Sequence, residues 1–426
     1  MRTTAARFDS LQDWLRWQES LHPAEIELGL ERVATVFARL HERHFACPVI
    51  TLAGTNGKGS SLRLLEAVYR AAGYRTGAYM SPHLLRYNER IRLDGEEATD
   101  AAIMEAFARV DAARAGVSLT YFEFGTLAAL DIFLREQPDV VLLEVGLGGR
   151  LDAVNIVDAD VALITAIGLD HTEWLGRDRE TIGFEKAGIL RAGRPAICSD
   201  PAPPSSIAEQ ASRLGAPLYR LGRDFRFEVH GDGSWRWQAA DGTQRQLPPP
   251  GLPGRHQYRN AAGVLMALHL LRARLPLSDT ALAEGLQQAR LPGRFQVEAD
   301  AEGRIWIFDV AHNPDSVAEL ARMLASAEPG GRSLALLGML ADKDCAAALA
   351  PMRARIDEWH LAPLASPRSA RPEVLAQILE GGTAPVRVHA SMASARQGVM
   401  AAAGRGDRIV VFGSFHTVSE VMLAGS

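Results

Sequence analysis

A short apolar run passes directly into a glycine-rich turn near the start of the chain, and this junction limits the fold more than any other feature. The run, Pro48–Ala53, is typical of a buried strand. The turn that follows it reads Gly54-Thr55-Asn56-Gly57-Lys58-Gly59-Ser60. Apolar residues then recur at helical spacing as far as Gly73, which is a helix stop signal. A strand that enters a helix through such a turn indicates a parallel sheet covered by helices.

The turn itself is typical of a phosphate-binding loop. Backbone N–H groups and the start of a helix supply positive potential there, and a lysine reaches the outer phosphates. Lys58 is that lysine, and Ser60 or Ser61 could hold a phosphate oxygen or magnesium. The turn departs from the usual Gly-x-x-x-x-Gly-Lys-Ser/Thr pattern in its glycine spacing and in the inserted Gly59. A tight turn without chemistry is the alternative, but the flanking strand and helix favour a nucleotide site.

Size and charge narrow the class of protein. With 426 residues the chain is too long for one ordinary core, and a net charge of −5 argues against a nucleic-acid binder. No apolar run approaches the ~18 residues of a membrane span, and Met1–Asp9 lacks the apolar core of a signal peptide. Cys47, Cys198 and Cys345 are far apart and lack metal-type spacing, which indicates a reducing cytoplasm. We expect a cytoplasmic monomer that acts on small molecules.

The pattern along the chain predicts an α/β protein with two domains. Short β-branched runs alternate with helical patterns up to about residue 200, which predicts a mostly parallel sheet. Phe225–Val229 and Trp235–Trp237 alternate around a glycine turn and predict a small antiparallel sheet. Leu291–Phe295 reads as a hinge, and four more strands with helices follow it. We therefore expect a larger domain over 1–293 and a smaller, Rossmann-like α/β domain over 294–426.

Two residues at strand ends are candidate magnesium ligands. Glu144 ends the apolar strand Val140–Val145, and ligands of open α/β sheets bind outside the carboxyl ends of strands. A carboxylate there is costly unless a cation meets it, and a salt bridge to Arg150 is the alternative. His171 follows the strand Val161–Ile167 and would alone suggest a packed or capping residue. Both residues at one sheet edge favour a metal site.

Lys186 lies in a largely apolar helical segment. Burial lowers the pKa of a lysine, and a neutral amine can add carbon dioxide to become a carbamate that binds magnesium. From the residues alone, a lysine that reaches the surface or pairs with Glu185 is the favoured interpretation.

Two further segments have open interpretations. Leu119–Phe124 is aromatic and precedes a helix, which indicates core packing with Glu123 as a possible cap. Phe308–Pro314 ends a strand, where Asp309 could hold a ribose or the hinge and His312 a carboxylate. A turn built by Asn313 and Pro314 is equally consistent with that pattern.

Taken together, these motifs resemble the Mur ligase superfamily, and more narrowly folylpolyglutamate synthase and the bacterial bifunctional dihydrofolate synthase. The resemblance covers nearly the whole chain apart from the first ~20 residues and Pro201–Leu247. The segments that carry it are Ala53–Ser60, Ser81–Leu84 with Asn88–Ile91, Leu119–Phe124, Glu144–Ala153, Asp170-His171, Glu185–Gly188, Tyr258–Ala262, Pro292–Phe295, Phe308–Pro314, Gly338–Lys343 and Gly413–His416.

The resemblance implies an ATP-dependent ligase that adds L-glutamate to dihydropteroate and to folates through an acyl phosphate. It implies ATP and Mg²⁺ as cofactors, with a monovalent cation as a further expectation, and it makes 1–293 the ATP-binding domain and 294–426 the glutamate-ligase domain. It assigns ATP to Gly54, Thr55, Asn56, Gly57, Lys58, Gly59, Ser60, Asn260, Arg294 and Asp309. It assigns magnesium to Ser81, Glu144, His171 and a carbamylated Lys186, and the pterin to Thr120, Tyr121, Phe122, Glu123, Leu151, Asp152 and Ala153. Lys58, Lys186 and His312 would be catalytic.

Two rival functions remain on the sequence evidence. One is another Mur-type ligase, such as a cell-wall precursor or cyanophycin enzyme. The other is a regulatory ATPase with a phosphate loop that forms no covalent product.

Overall fold

The computed structural model describes residues 7–42, 44–327 and 330–424. Most of Met1–Asp9, the stretch for which the sequence predicts no signal peptide, therefore lies outside the described residues. The chain divides into two compact units. The first comprises the chain up to Ile167, Leu175–Gly251 and Gln257–Arg290. The second comprises Gly168–Trp174, Leu252–His256 and the chain from Leu291 onward. Among the described residues, no helix is long and apolar enough to cross a membrane.

The strands, in chain order, are β1 Val49–Ala53, β2 Thr76–Tyr79, β3 Ile91–Leu93, β4 Glu96–Glu97, β5 Val140–Glu144, β6 Val161–Ile164, β7 Ala196–Cys198, β8 Leu218–Arg220, β9 Phe225–Val229, β10 Trp235–Ala239, β11 Gln244–Leu247, β12 Gln296–Ala299, β13 Ile305–Phe308, β14 Ser333–Leu337, β15 Glu358–Leu361, β16 Val386–Val388 and β17 Arg408–Phe412.

The helices are α1 Leu11–Leu21, α2 Glu31–Leu40, α3 Lys58–Ala71, α4 Asp100–Arg114, α5 Tyr121–Glu136, α6 Thr172–Leu175, α7 Arg179–Lys186, α8 Ser205–Leu214, α9 His256–Leu271, α10 Asp279–Gln288, α11 Pro314–Ser326, α12 Cys345–Leu349, α13 Pro372–Leu379, α14 Met392–Ala402 and α15 Phe415–Leu423.

The first unit is built on an eight-stranded sheet in the order β4-β3-β2-β5-β1-β6-β7-β8. Neighbours from β2 to β8 pair in parallel, and β3 and β4 add an antiparallel edge. Every residue of β1 and β5 is buried, because helices cover both faces of the sheet centre. The predicted, mostly parallel sheet is confirmed. Its arrangement brings the carboxyl ends of β2, β5 and β1 to one edge.

A separate three-stranded antiparallel sheet, in the order β11-β10-β9, confirms the second prediction for this unit. Trp235 and Trp237 alternate with polar residues on β10 and are buried. Their indole N–H groups donate to the carbonyls of Pro248 at 2.8 Å and Ala262 at 3.1 Å. These bonds satisfy the only polar atom of each ring and hold the sheet on α9 and the segment before it.

The second unit contains a six-stranded sheet in the order β12-β13-β17-β14-β15-β16. Only the β12–β13 pair is antiparallel among the described strands of this sheet. A smaller α/β unit after the predicted hinge is therefore confirmed. The carboxyl ends of β13, β17 and β14 share one edge, and the chain leaves them toward His312, Phe415 and Lys343.

Helix boundaries differ from the pattern where side chains cap the backbone. α5 begins at Tyr121 because the Thr120 hydroxyl accepts from Glu123 N and the Glu123 carboxylate accepts from Thr120 N, a capping box. The aromatic segment 121–124 therefore lies inside the helix, whereas the pattern placed it before the helix. α7 ends at Lys186, and a short 3₁₀ turn over Ala187–Ile189 follows it.

Candidate active site

The glycine-rich turn passes from β1 into α3, and two of its glycines are required by close contacts. A Cβ on Gly54, whose φ is +153°, would lie 1.8 Å from Thr165 Oγ1. A Cβ on Gly57, whose φ is +95°, would lie 2.6 Å from Asn260 Oδ1. The next residue, Lys58, begins α3, so the free N–H groups of the first helical turn face the loop. This is the geometry that the phosphate-loop interpretation requires.

Two lysines meet at the start of this loop. Lys58 Nζ donates to Gly54 O at 2.9 Å, and Lys186 Nζ donates to the same oxygen at 3.0 Å. Lys186 is only 3% exposed, so the interpretation of a lysine that reaches the surface is wrong. The other suggested partner, Glu185, pairs with Arg150 at 2.8 Å. The buried position of Lys186 is the environment that its carbamylation would need.

A buried amide oxygen beside the loop lacks a hydrogen-bond partner. Asn260 Nδ2 donates to Gln257 Oε1 at 2.9 Å, and Gln257 Nε2 donates to Ser60 Oγ at 3.3 Å. Asn260 Oδ1, next to Gly57, accepts no hydrogen bond from any described residue. An unsatisfied buried acceptor costs about 1–3 kcal/mol unless a ligand group or water meets it. Asn260 is therefore placed to contact a molecule bound in the loop.

Ser81 and Glu144 lie together at the carboxyl ends of the neighbouring strands β2 and β5. The Ser81 N–H donates to Glu144 Oε2 at 3.4 Å, and Glu144 is 4% exposed. Arg150, its suggested salt-bridge partner, is the residue that pairs with Glu185. The Glu144 carboxylate and the hydroxyl group of Ser81 are both hard oxygen ligands, the kind that suits magnesium. The described residues contain no group of three or more His, Cys, Asp or Glu side chains placed for a metal ion.

His171 lies on the segment Gly168–Trp174, which belongs to the second unit. Its φ is +50°, an uncommon backbone conformation for a residue other than glycine. The preceding residue, Asp170, holds the segment within that unit. Its carboxylate accepts from Lys343 Nζ at 2.6 Å and from Asn313 Nδ2 at 3.2 Å, and lies 3.2 Å from His312 Nε2. Although burial raises the pKa of Asp170, the bond to His312 and nearby positive charges hold it well below its usual range.

The residues assigned to the pterin lie in the first unit. The Phe122 and Tyr79 rings are 6.0 Å apart, and a Cβ on Gly146 would lie 2.6 Å from Phe122 Cζ, so the ring packs directly on that backbone. Asp152 accepts from Leu147 N at 2.8 Å and from Val154 N at 3.0 Å. Burial raises the pKa of Asp152 to about 6. Leu151 O accepts from Gly29 N at 3.3 Å, and the buried Ala153 begins a short 3₁₀ turn.

Glu123 has a structural role that sequence reasoning had left open. Its carboxylate closes the capping box of α5 and also accepts from Arg32 Nη2 at 2.9 Å. With Glu123 3% exposed, most of its hydrogen-bonding capacity is already used inside the protein. Asp152 is equally buried and also accepts two backbone bonds, so both carboxylates remain candidates for binding the donors of a pterin ring.

In the second unit, Asp309 braces the segment that carries Arg294. Its carboxylate accepts from Phe295 N and from Ala311 N, both at 2.8 Å. Of the two roles that the sequence left open for Asp309, these bonds favour holding the hinge over holding a ribose. Burial raises the pKa of Asp309. The Arg294 guanidinium lies 5.2 Å from the centre of the Phe415 ring. His312 Nδ1 lies 2.8 Å from Val310 O, so both ring nitrogens face acceptors and a doubly protonated ring would donate to both.

Three residues of these networks received no role from the sequence. Lys343 appeared only as part of a motif, and its partner Asp170 is 173 residues away. Arg32 pairs with Glu123 across 91 residues. Arg90 lies over the rings of Tyr87 and Tyr121 at 5.4 and 5.5 Å. A basic residue beside a motif was the only available signal, and it does not identify a partner that is distant in the chain.

Comparisons with known proteins agree with this geometry. Residues 293–415 match the family model described as Mur ligase, glutamate ligase domain. The chain is 47% identical to the dihydrofolate synthase/folylpolyglutamate synthase of Escherichia coli K12 over 99% of this chain and 97% of that protein. It is 39% identical to the Haemophilus influenzae protein of the same name, over 96% of both chains.

Solved structures give the same result. The Escherichia coli structure in complex with DHPP and ADP aligns with a TM-score of 0.91 and 47% identity, covering 99% of this chain and 98% of that one. A bifunctional folylpolyglutamate synthase/dihydrofolate synthase with Mn, AMPPNP and L-glutamate bound aligns with a TM-score of 0.90 and 48% identity, covering 99% of both chains.

Proposed function

The chain belongs to the bifunctional dihydrofolate synthase/folylpolyglutamate synthase family, and from this membership we propose how its residues join L-glutamate to dihydropteroate and to folates with ATP. The observation that carries the proposal is the loop Gly54–Ser60, with two lysines on one carbonyl and the unsatisfied Asn260 oxygen beside it. This combination suits a bound polyphosphate. The related structures with ADP or AMPPNP support the same ligand class.

Loop backbone N–H groups and Lys58 hold the outer phosphates of ATP, and Asn260 contacts the nucleotide. The carboxylate of dihydropteroate or of a folate attacks the γ-phosphorus, and ADP leaves. The acyl phosphate that results is then attacked by the glutamate amine, and inorganic phosphate leaves as the amide forms. Lys58 and Arg294 offset the charge that spreads over the transferring oxygens. Water would hydrolyse the acyl phosphate, so solvent has to be excluded during the transfer.

Ser81 and Glu144 are the proposed magnesium ligands in the first unit, and a carbamylated Lys186 supplies a third anionic or polar group. His171 is kept as a further ligand on the family resemblance. When bound, the ion neutralises phosphate charge and orients the γ-phosphoryl group. The related structures that contain Mn support a divalent ion here. A monovalent cation is a further proposal from the resemblance.

For the pterin we propose a wall formed by Thr120, Tyr121, Phe122 and Leu151–Ala153. A planar ring would stack on Phe122, and the Asp152 carboxylate would accept from ring N–H groups. Glu123 contributes by fixing Thr120 at the start of α5. His312 is proposed to contact the incoming glutamate carboxylate, and Asp309 to hold Arg294 in place or to contact a ribose.

We further propose that 1–293 acts as the ATP-binding domain and 294–426 as the glutamate-ligase domain. The proposed location is the cytoplasm, supported by three cysteines that form no disulfide. The proposed form is a monomer, and size-exclusion chromatography with light scattering would check its molar mass. We propose that it binds neither nucleic acid nor membranes.

The decisive experiment is product analysis by mass with purified protein, ATP, magnesium and glutamate. Dihydropteroate and tetrahydrofolate are supplied separately. Dihydrofolate from the first and glutamyl-extended folate from the second are the expected products. A rate of phosphate release that is the same with and without dihydropteroate or tetrahydrofolate would favour a regulatory ATPase. Turnover only with cell-wall or cyanophycin precursors would favour another Mur-type ligase.

A further inference from the structure

A charged cavity lies within the first unit, away from the phosphate loop. It has a volume of 240 Å³ and is lined by residues of the second half of α3 and of the end of α10, including Arg63, Glu66, Arg70 and Arg290. Arg70 follows Lys58 by twelve residues on the same helix, which places it about 18 Å along the axis. The proposed reaction uses none of these side chains.

The one carboxylate inside the cavity is already shared. Glu66 is 1% exposed, and its two oxygens accept from Arg63 Nη1 and from Arg92 Nε, the second at 3.2 Å. Arg92 also donates to Gly95 O. Burial lowers the pKa of Arg63, and the charges of Arg92 and Arg70 lower it further against the opposing effect of Glu66. Positive charge is therefore crowded around this carboxylate.

Two more guanidinium groups add to this excess. Arg70 lies against Gly95, where a Cβ would be 2.1 Å from Arg70 Nη1. Arg290 Nη1 donates to the backbone carbonyls of Gln287 at 2.7 Å and Ala289 at 2.9 Å. Within the described part of the chain, no carboxylate forms an ion pair with Arg70 or Arg290, whereas most arginines of the first unit have one. The exposed Glu96, near Arg63, is the second carboxylate after Glu66. Against these two carboxylates stand four guanidinium groups, those of Arg63, Arg70, Arg92 and Arg290.

We propose that this cavity binds a small anion with at least two negative charges, either a polycarboxylate or a phosphate compound. A guanidinium group matches carboxylate and phosphate oxygens equally well through paired N–H donors. The volume is below the 300–1,000 Å³ of typical drug-sized sites, which suits a small anion such as a tricarboxylate or pyrophosphate. Arg70 and Arg290 provide the two charges that lack a partner. The site does not depend on the proposed ligase reaction.

The test is isothermal titration of the full chain, without metal, with pyrophosphate and citrate as probes. The phosphate loop also attracts anions, so the Lys58→Ala variant separates the two sites. We expect one equivalent of probe to bind in Lys58→Ala, where the phosphate loop is disabled, and its affinity to fall about tenfold when Arg70→Ala or Arg290→Ala is added to that variant. The matched control is Arg16→Ala on α1, an exposed arginine that pairs with Asp13 and should leave binding unchanged.

The two probes identify the ligand class, because the stronger one shows whether phosphate or carboxylate oxygens fit better. Arg70 makes no side-chain hydrogen bond in the described chain that holds the fold, so Arg70→Ala is expected to keep the wild-type melting temperature. Arg70→Gln serves as a second variant if it does not. Binding that Lys58→Ala abolishes and Arg70→Ala retains would overturn the proposal, and so would no uptake of either probe at about 10 mM.

Discussion

Lys58 and Lys186 donate hydrogen bonds to the same oxygen, the carbonyl of Gly54, at 2.9 and 3.0 Å. Their side-chain nitrogens are consequently no more than about 6 Å apart. Two positive charges at that distance repel each other, and an anion bound between them would offset the repulsion. A bound phosphate would meet this requirement from the loop side. A carbamate on Lys186 would meet it from the other, by replacing one cation with an anion.

Lys58→Ala should reduce the rate of product formation by at least ~10²-fold, because it removes a charge that stabilises the transferring phosphoryl group. The fold should be retained, since within the described residues the lysine side chain bonds only to backbone carbonyls of its own loop. The measurement is steady-state turnover with dihydropteroate, paired with thermal melting. Arg322→Ala, at an exposed position on α11, is the control. Near-normal turnover in Lys58→Ala would contradict its assignment.

Lys186→Ala should abolish turnover, and a small carboxylate such as formate or acetate should restore part of it if the carbamate is what the site requires. The added acid would occupy the space of the missing side chain and return a negative oxygen ligand. Turnover against acid concentration measures the rescue, and Lys58→Ala should show none. A metal-bound crystal structure with an unmodified Lys186 amine would remove the carbamate hypothesis.

Binding of dihydropteroate should depend on pH through Asp152. The pKa of Asp152 is raised to about 6, so below that pH the group is protonated and accepts fewer bonds from the pterin. KM for dihydropteroate should therefore fall as the pH rises from about 5 to 7, and Asp152→Asn should remove the dependence and raise KM. Initial rates over this range test both statements. A wild-type pH profile in Asp152→Asn would show that another group is responsible.

Local patterns made part of this fold and site predictable. The Gly54–Ser60 turn and the apolar run of β5 are read from neighbouring residues, and backbone geometry limits what such runs can form. Some short strands were not predicted, because a strand of two or three residues is too short to show a periodic pattern. These are β4, with two residues, and β3, β8 and β16, with three each. Neither were the pairs Arg32–Glu123 and Asp170–Lys343, since their partners are brought together only by tertiary packing.

Lys343→Met should destabilise the protein by about 3–5 kcal/mol, because it leaves the buried Asp170 carboxylate without its closest cation. The two side chains are only 6% and 8% exposed, so solvent screens the pair weakly. A double-mutant cycle with Asp170→Asn, measured by urea unfolding, should give a coupling of about 0.5–3 kcal/mol. Lys343→Arg is expected to recover part of the loss. Additive effects in the cycle would mean that the pair contributes nothing.

Acid should destabilise the second unit through His360 and His389. Their rings stack at 5.1 Å with Nδ1 and Nε2 3.0 Å apart, and burial lowers the pKa of His360 to about 4 and also lowers that of His389. A histidine with a depressed folded pKa stabilises the fold above about pH 6.5, and this contribution is lost as the pH falls toward 4. The melting temperature should drop less between pH 7.5 and 5 in His360→Asn than in wild type. An equal drop in both proteins would exclude these two rings.

The membership of Gly168–Trp174 in the second unit has a consequence for dissection and recombination of the gene. A fragment that starts at Leu291 omits Asp170, so Lys343 would be left in a nearly closed environment with no counter-charge from that segment. Chimeras between relatives face the same difficulty, because a crossover near residue 291 takes Asp170 from one parent and Lys343 from the other. If Gly168–Trp174 is exchanged together with the chain from Leu291 onward, Asp170 and Lys343 come from the same parent. Such hybrids should express in folded form more often than hybrids with a single crossover.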